Sequence, residues 1–86
     1  MPRYVIERNF ADQLQLTKEG IEGLKLINDQ EGVKWIFSFL SADKRKTYCL
    51  YDAPNPEAIR AAARRNNIPA DVIIEIDGEI GPNMFA

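Results

Sequence analysis

The chain has 86 residues, enough for one small domain, and its 11 basic and 13 acidic side chains leave a net charge of −2. That balance excludes a broad electrostatic attraction to nucleic acids or to anionic membranes. The single cysteine excludes an intrachain disulfide, and no run approaches the roughly 20 apolar residues that a membrane span needs.

The first third of the chain predicts a strand followed by a helix. Residues 3–9 (RYVIERN) are rich in residues that favour strands, and residues 11–16 form a connection. Thr17 is suited to cap a helix over about 17–29, in spite of Gly20 and Gly23 within it. The predicted apolar face of this helix contains Ile21, Leu24 and Ile27.

The middle of the chain predicts a β-hairpin. Residues 33–41 (VKWIFSFLS) and 46–53 (KTYCLYDA) are two strand-forming runs, and the polar residues 42–45 lie between them. We therefore expect an exposed turn at Asp43, Lys44 and Arg45.

The second helix has the clearest start signal in the chain. Asn55 can cap it, Pro56 lacks only an N–H that the first helical position does not use, and Glu57 favours the positive helix end. Asn66-Asn67 is expected to end this helix. A last strand follows at 72–77 (VIIEID).

The order strand–helix–strand–strand–helix–strand predicts the α+β ferredoxin-like fold, a four-stranded antiparallel sheet with two helices on one face. The first and third strands are expected to be central. We predict one domain over residues 1–77 and an irregular tail over 78–86, whose apolar Ile80, Met84 and Phe85 either dock on a partner or fray.

The other sheet face has no predicted helix to cover it. It is therefore either solvated or paired with a second copy, which would make a homodimeric α+β barrel. A chain this short buries only about 60–65% of its extended surface, and oligomerisation is the usual supplement to so small a core. We expect a cytoplasmic homodimer with no nucleic-acid or membrane partner.

Three segments resemble a small bacterial family of domains of unknown function, some of whose members are described as nickel-binding proteins. They are YVIER at 4–8, VKWIFSFLSADKRKTYCLYDAPNPEAIRAAA at 33–63 and IPADVI at 68–73. The run from Tyr51 to Arg60 is the most specific of the matches. The resemblance implies a ferredoxin-like dimer and a nickel-binding role.

The sequence departs from that family at one position relevant to metal binding. The family pattern Trp-x-His-Ser corresponds here to Trp35-Ile36-Phe37-Ser38, and the chain contains no histidine. Glu7 and Cys49 are the metal-ligand candidates that are left. Carboxylates suit magnesium, calcium or manganese better than nickel, so a divalent metal is an open expectation.

Glu7 is the first ligand-binding candidate, because it lies in a strand otherwise made of strand-forming residues. A carboxylate there needs a partner or an open face. It is either a ligand or acid–base group in a barrel interior, or a solvated side chain that pairs with Arg8 of a second copy.

Cys49, Tyr51 and Ser38 are the other ligand-binding candidates. Cys49 and Tyr51 share a face of the third strand. They line one pocket with Glu7 only if Glu7, in the first strand, points to the same face of the sheet. The alternative for Cys49 is a buried small apolar side chain, since no histidine is present to activate it.

The second strand carries aromatic residues in alternation. Trp35, Phe37 and Phe39 are expected to share one face, with Ile36, Ser38 and Leu40 on the other. Both sets are apolar enough to be buried, which favours a sheet covered on both sides. Aromatic packing against the helices is the simpler alternative.

Three functional classes follow from these features. The preferred one is a small dimeric ligand- or metal-binding protein. The alternative is a cofactor-independent enzyme of the dimeric α+β barrel type, with Glu7 and Tyr51 as acid–base groups, which rests on analogy of fold. An RNA-recognition domain is disfavoured, because Lys46–Tyr51 lacks the expected glycine among its aromatics.

Overall fold

The six predicted elements are all present in a computed structural model of the chain, which describes residues 1–85 apart from the side chains of Met84 and Phe85. The bounds are β1 Arg3–Asn9, α1 Lys18–Gln30, β2 Lys34–Leu40, β3 Lys46–Asp52, α2 Pro56–Asn66 and β4 Val72–Ile76, followed by a short 3-10 helix at Pro82–Phe85. None of the helices in the described chain has the length and apolar character to cross a membrane.

The strands form one antiparallel sheet in the order β2-β3-β1-β4. This order confirms the ferredoxin-like prediction, including the central positions of β1 and β3. Both helices pack on the same face, because the buried side chains of β1 and β3 share a core with residues of α2 and contact α1. We call this the helix-covered face.

Both helix starts were predicted correctly from single residues. Thr17 Oγ1 accepts a hydrogen bond from the Gly20 amide at 3.0 Å, and Asn55 Oδ1 accepts one from the Ala58 amide at 2.9 Å. Each cap satisfies an amide that has no partner within its own helix. At the end of α2, Asn67 adopts a left-handed conformation with φ 56° and closes the last turn.

The core consists of small and medium apolar side chains between the sheet and α2. Ile6 and Ile59 are almost completely buried, and Tyr4 contributes the largest side chain. Ala62 is also buried, and its small side chain lets the helix approach the sheet closely. Helix α1 contributes less, since Asn28 is its one buried residue within the described chain.

The expectation that Trp35, Phe37 and Phe39 share a face is wrong. Trp35 pairs with Tyr51 and Phe37 with Leu50, so β2 advances two residues while β3 advances one. This β-bulge reverses the sheet face to which each later residue of β2 would otherwise point. Trp35 consequently lies on the helix-covered face, together with Ser38.

The opposite side of the sheet, the open sheet face, is covered by no described element. The paired strands place side chains from all four strands there, namely Val5, Glu7, Phe37, Phe39, Tyr48, Leu50, Val72 and Ile74. Phe39 is 66% exposed and Ile74 is 54% exposed. A solvated sheet face normally carries mostly polar residues, and this one does not.

The turn between β2 and β3 is exposed, as predicted, and is organised by Asp43. Its Oδ1 accepts hydrogen bonds from the Ser41 hydroxyl at 2.6 Å and the Arg45 amide at 3.0 Å. These bonds, the Ser41 one foremost, hold the pKa of Asp43 below its ordinary value of 3.8.

Replacing Asp43 by alanine should reduce the loss of stability in acid. A carboxyl whose folded pKa is lowered contributes stability above its unfolded pKa and loses it as the pH falls through the folded pKa. The difference in urea midpoint between about pH 7 and about pH 2.5 should therefore be smaller in Asp43→Ala than in the wild type. An Asp43→Ala variant that keeps the full wild-type difference would contradict the assignment.

Candidate functional site

A cavity of about 70 Å³ lies between the helix-covered face and the segment that leads into α1. We call it the helix–sheet cavity. Its polar lining comes from three adjacent strands and consists of Arg8, Ser38, Thr47, Cys49 and Tyr51. The cross-strand pairs Arg8–Thr47 and Ser38–Cys49 put these side chains side by side on the sheet.

The remaining walls are apolar. Phe10, Leu14 and Leu16 line the cavity from the connection between β1 and α1, opposite Trp35. Backbone hydrogen bonds of 2.7 Å, from Phe10 N to Arg45 O and from Leu14 N to Lys44 O, fasten this connection to the β2–β3 turn. Leu16 is half exposed, so the mouth of the cavity lies beside it.

Arg8 is the most unusual residue of the cavity, because a charged side chain here is only 3% exposed. Its Nη1 donates to the Pro69 carbonyl oxygen at 2.6 Å, and its guanidinium carbon lies 5.6 Å from the centre of the Tyr51 ring. No ion pair between described residues involves Arg8. Buried charges are normally paired with an opposite charge.

Sequence analysis missed Arg8 as a site residue, although a signal was present. Tyr4, Ile6 and Arg8 alternate along β1 and all three are buried. Period-two alternation in a central strand therefore places Arg8 on the apolar side. The same alternation places Glu7 on the other side.

Tyr51 lines the cavity, and its hydroxyl is hydrogen-bonded from the helices. Asn28 Nδ2 donates to its hydroxyl oxygen at 3.3 Å, and Asn66 Nδ2 donates to Asn28 Oδ1 at 3.4 Å. Burial raises the pKa of Tyr51, while the Arg8 charge and the Asn28 hydrogen bond act in the opposite direction. The phenol is therefore neutral at physiological pH and carries a proton that it can donate.

Cys49 and Ser38 complete the set that the structure brings together. The Cys49 thiol is buried and lies 3.5 Å from Thr47 Oγ1, and the Trp35 indole N–H donates to Ser38 Oγ at 2.8 Å. Three of the four predicted ligand-binding residues thus line one cavity. Cys49 also matches its alternative interpretation as a small buried side chain.

Glu7 lies apart from the other candidates, on the open sheet face opposite Tyr48. Glu7 therefore points to the opposite face of the sheet from Cys49 and Tyr51, and the three side chains do not share a pocket. Its carboxylate is 3.9 Å from Lys46 Nζ. Pairing of Glu7 with Arg8 of a second copy across this face is also wrong, because Arg8 is buried on the helix-covered face.

Comparison with known proteins adds a family. The model of the SCO4226-like family, described as nickel responsive protein SCO4226-like, matches residues 4–76. The chain belongs to this family. The family resemblance predicted from the three sequence segments is thereby confirmed, and the match runs from β1 through β4.

A solved SCO4226-like structure has the same fold. It is the crystal structure of SCO4226 from Streptomyces coelicolor A3(2), which is 17% identical and superposes with a TM-score of 0.69 over 91% of this chain and 99% of that chain. At this identity the likeness shows the fold alone. No curated protein matches the chain.

The residues of this SCO4226-like protein do not assemble a nickel site within one copy. The chain has no histidine, and its described residues contain no cluster of three or more cysteine, aspartate or glutamate side chains that could hold a metal ion. Glu7 and Cys49 lie on opposite faces of the sheet. Phe37, at the position where the resemblance implied a histidine, cannot ligate a metal.

Proposed function

We propose that this protein is a small homodimeric ligand-binding protein of the cytoplasm. Two copies pack their open sheet faces together, and each copy binds a small molecule in its helix–sheet cavity. The observation that carries the proposal is the exposed apolar surface of the open sheet face. The buried free thiol of Cys49 is compatible with a reducing compartment.

The open sheet face has the composition of an interface core. Phe37 and Phe39 contact each other edge to face with ring centres 5.2 Å apart, and Tyr48 extends this aromatic group onto β3. Aromatic residues are enriched in interface cores. Monomeric proteins rarely expose a contiguous apolar patch that extends across four strands.

A second copy is the occupant that the surface favours. Two charge pairs lie at opposite ends of its central strands, Glu7 near Lys46 and Arg3 with Asp52 at 2.8 Å. The side chains between these pairs are apolar and carry no charge that would select an acidic or basic partner. A two-fold pairing of identical apolar patches satisfies both copies at once.

The enzyme alternative loses its proposed pair of acid–base groups. Glu7 is on the open sheet face and Tyr51 is in the helix–sheet cavity, so the two cannot act on one substrate within a copy. A ligand-binding role needs only the cavity. The organic-ligand form of the proposal is preferred over a metal, because no described cluster of ligands exists.

Native mass spectrometry of untagged protein, with metal analysis of the same sample, tests this proposal. The expected result is a dimer without stoichiometric nickel. Sedimentation velocity across micromolar concentrations should give the same mass. A monomer throughout this range would overturn the dimer, and one nickel ion bound per chain would overturn the organic-ligand assignment.

A further inference from the structure

We propose that the helix–sheet cavity binds the carboxylate of a small aliphatic acid, with Arg8 as its counter-ion. The inference deepens the proposed function, on which it rests only for the use of this cavity as the ligand site. It does not depend on the dimer. Nothing in the family description assigns a role to this cavity.

The unbalanced charge of Arg8 is the first argument. Burial of a guanidinium without an anion is costly, and the groups that Arg8 contacts, the Pro69 carbonyl and the Tyr51 side chain, are both uncharged. All ion pairs among the described residues belong to other side chains. A ligand carboxylate in the cavity would supply the missing charge.

The shape of the available donors is the second argument. The guanidinium is a planar fork that matches the two oxygens of a carboxylate. Tyr51 lines the same cavity and lies beside the Arg8 guanidinium, whose carbon is 5.6 Å from the centre of its ring. A carboxylate, which only accepts hydrogen bonds, is the anion that the guanidinium fork fits.

The apolar walls and the volume define the rest of the ligand. A cavity of about 150 Å³ holds the six carbons of benzene, so about 70 Å³ holds about three non-hydrogen atoms, the size of a carboxylate group, and the aliphatic chain would extend into the mouth. Leu14 and Leu16 are positioned to contact an aliphatic chain that leads to the mouth. An inorganic anion of similar size would leave these apolar walls without a partner.

Trp35 provides a reporter for the test, because it lines the cavity and is the one tryptophan of the chain. Its fluorescence is followed while wild-type protein is titrated with sodium propionate at constant ionic strength. Propionamide is the neutral control of the same shape, and sodium chloride is the control for anions in general. We expect a saturable change in the millimolar range or below with propionate, and none with either control.

Variants then assign the effect to Arg8. Arg8→Lys keeps the charge but loses the planar fork, so we expect about tenfold weaker binding. Arg8→Met should abolish saturation, whereas Arg64→Met, which removes an equal charge from the exposed side of α2, should bind as the wild type does. Propionate should also raise the melting temperature of the wild type and of Arg64→Met but not that of Arg8→Met.

The wild-type titration decides the matter even where a variant fails to fold. An equal response to propionate and propionamide, a response to chloride of the same size, or no response at all overturns the inference. Arg8 would then serve only to hold Pro69. If the protein is a dimer but does not bind propionate, the proposed dimer is retained and this inference is wrong. If it is a monomer that binds propionate, this inference is retained and the proposed dimer is wrong.

Discussion

Replacing Phe39 by aspartate is expected to convert the proposed homodimer into a folded monomer. Phe39 is the most exposed aromatic residue of the open sheet face, so the change costs an isolated copy little. In a dimer it would bury an unpaired charge in both copies. An aromatic residue that anchors an interface contributes about 2 kcal/mol or more to it, which corresponds to a loss of roughly 30-fold in affinity.

Sedimentation velocity measures this change, with circular dichroism as the check on folding. Leu26→Asp is the matched control, because Leu26 is 60% exposed on α1 and lies away from the open sheet face. The control should remain dimeric. If Phe39→Asp remained dimeric while folded, the copies would have to associate through another surface.

The second large effect is expected from Ile6→Ala, which should destabilise the fold by about 2–5 kcal/mol. Ile6 is 0% exposed at the centre of the sheet, where it lies between Cys49 and Ile73 on the neighbouring strands. Truncation leaves a cavity among residues that are held by β-pairing on both sides. A small domain has only about 5–15 kcal/mol of total stability, so this loss is severe.

Urea unfolding at one fixed protein concentration measures the effect, since the proposed dimerisation would make apparent stability depend on concentration. Ile6→Val should lose about 0.5–1.5 kcal/mol. The Leu26→Ala control, at an exposed position on α1, should stay within about 0.5 kcal/mol of the wild type. Equal losses in Ile6→Ala and Leu26→Ala would contradict the placement of the core.

Local chemistry determined the element order and the helix starts. Thr17 and Asn55 have side chains that satisfy helix amides only a few residues away, and Pro56 fits only the first turn of a helix. The connection lengths then leave few antiparallel arrangements. These are interactions within a short stretch of chain, so the sequence contains them directly.

The candidate site was predictable in part for the same reason. Cys49 and Tyr51 are two residues apart in one strand, and their shared face follows from the backbone alone. Whether Glu7 joins them depends on the pairing of β1 with β3, in which Ile6 rather than Glu7 lies opposite Cys49. The sequence left that choice open.

Tertiary structure alone decided which sheet face each residue of β2 points to, and that Arg8 is buried without an ion pair among the described residues. The bulge beside Ile36 arises from the way β2 pairs with β3, and no local signal in Trp35–Phe39 marks it. Arg8 has the pattern of an ordinary strand residue until the connection at 10–17, α1 and the segment at 68–69 enclose it. Among the described residues none of these segments supplies it with an ion pair. The sequence by itself thus determined the elements and their order, because caps and alternation act over a few residues. Only the packing of distant segments decided which side chains share the cavity, because register and burial are set by contacts far apart in the chain.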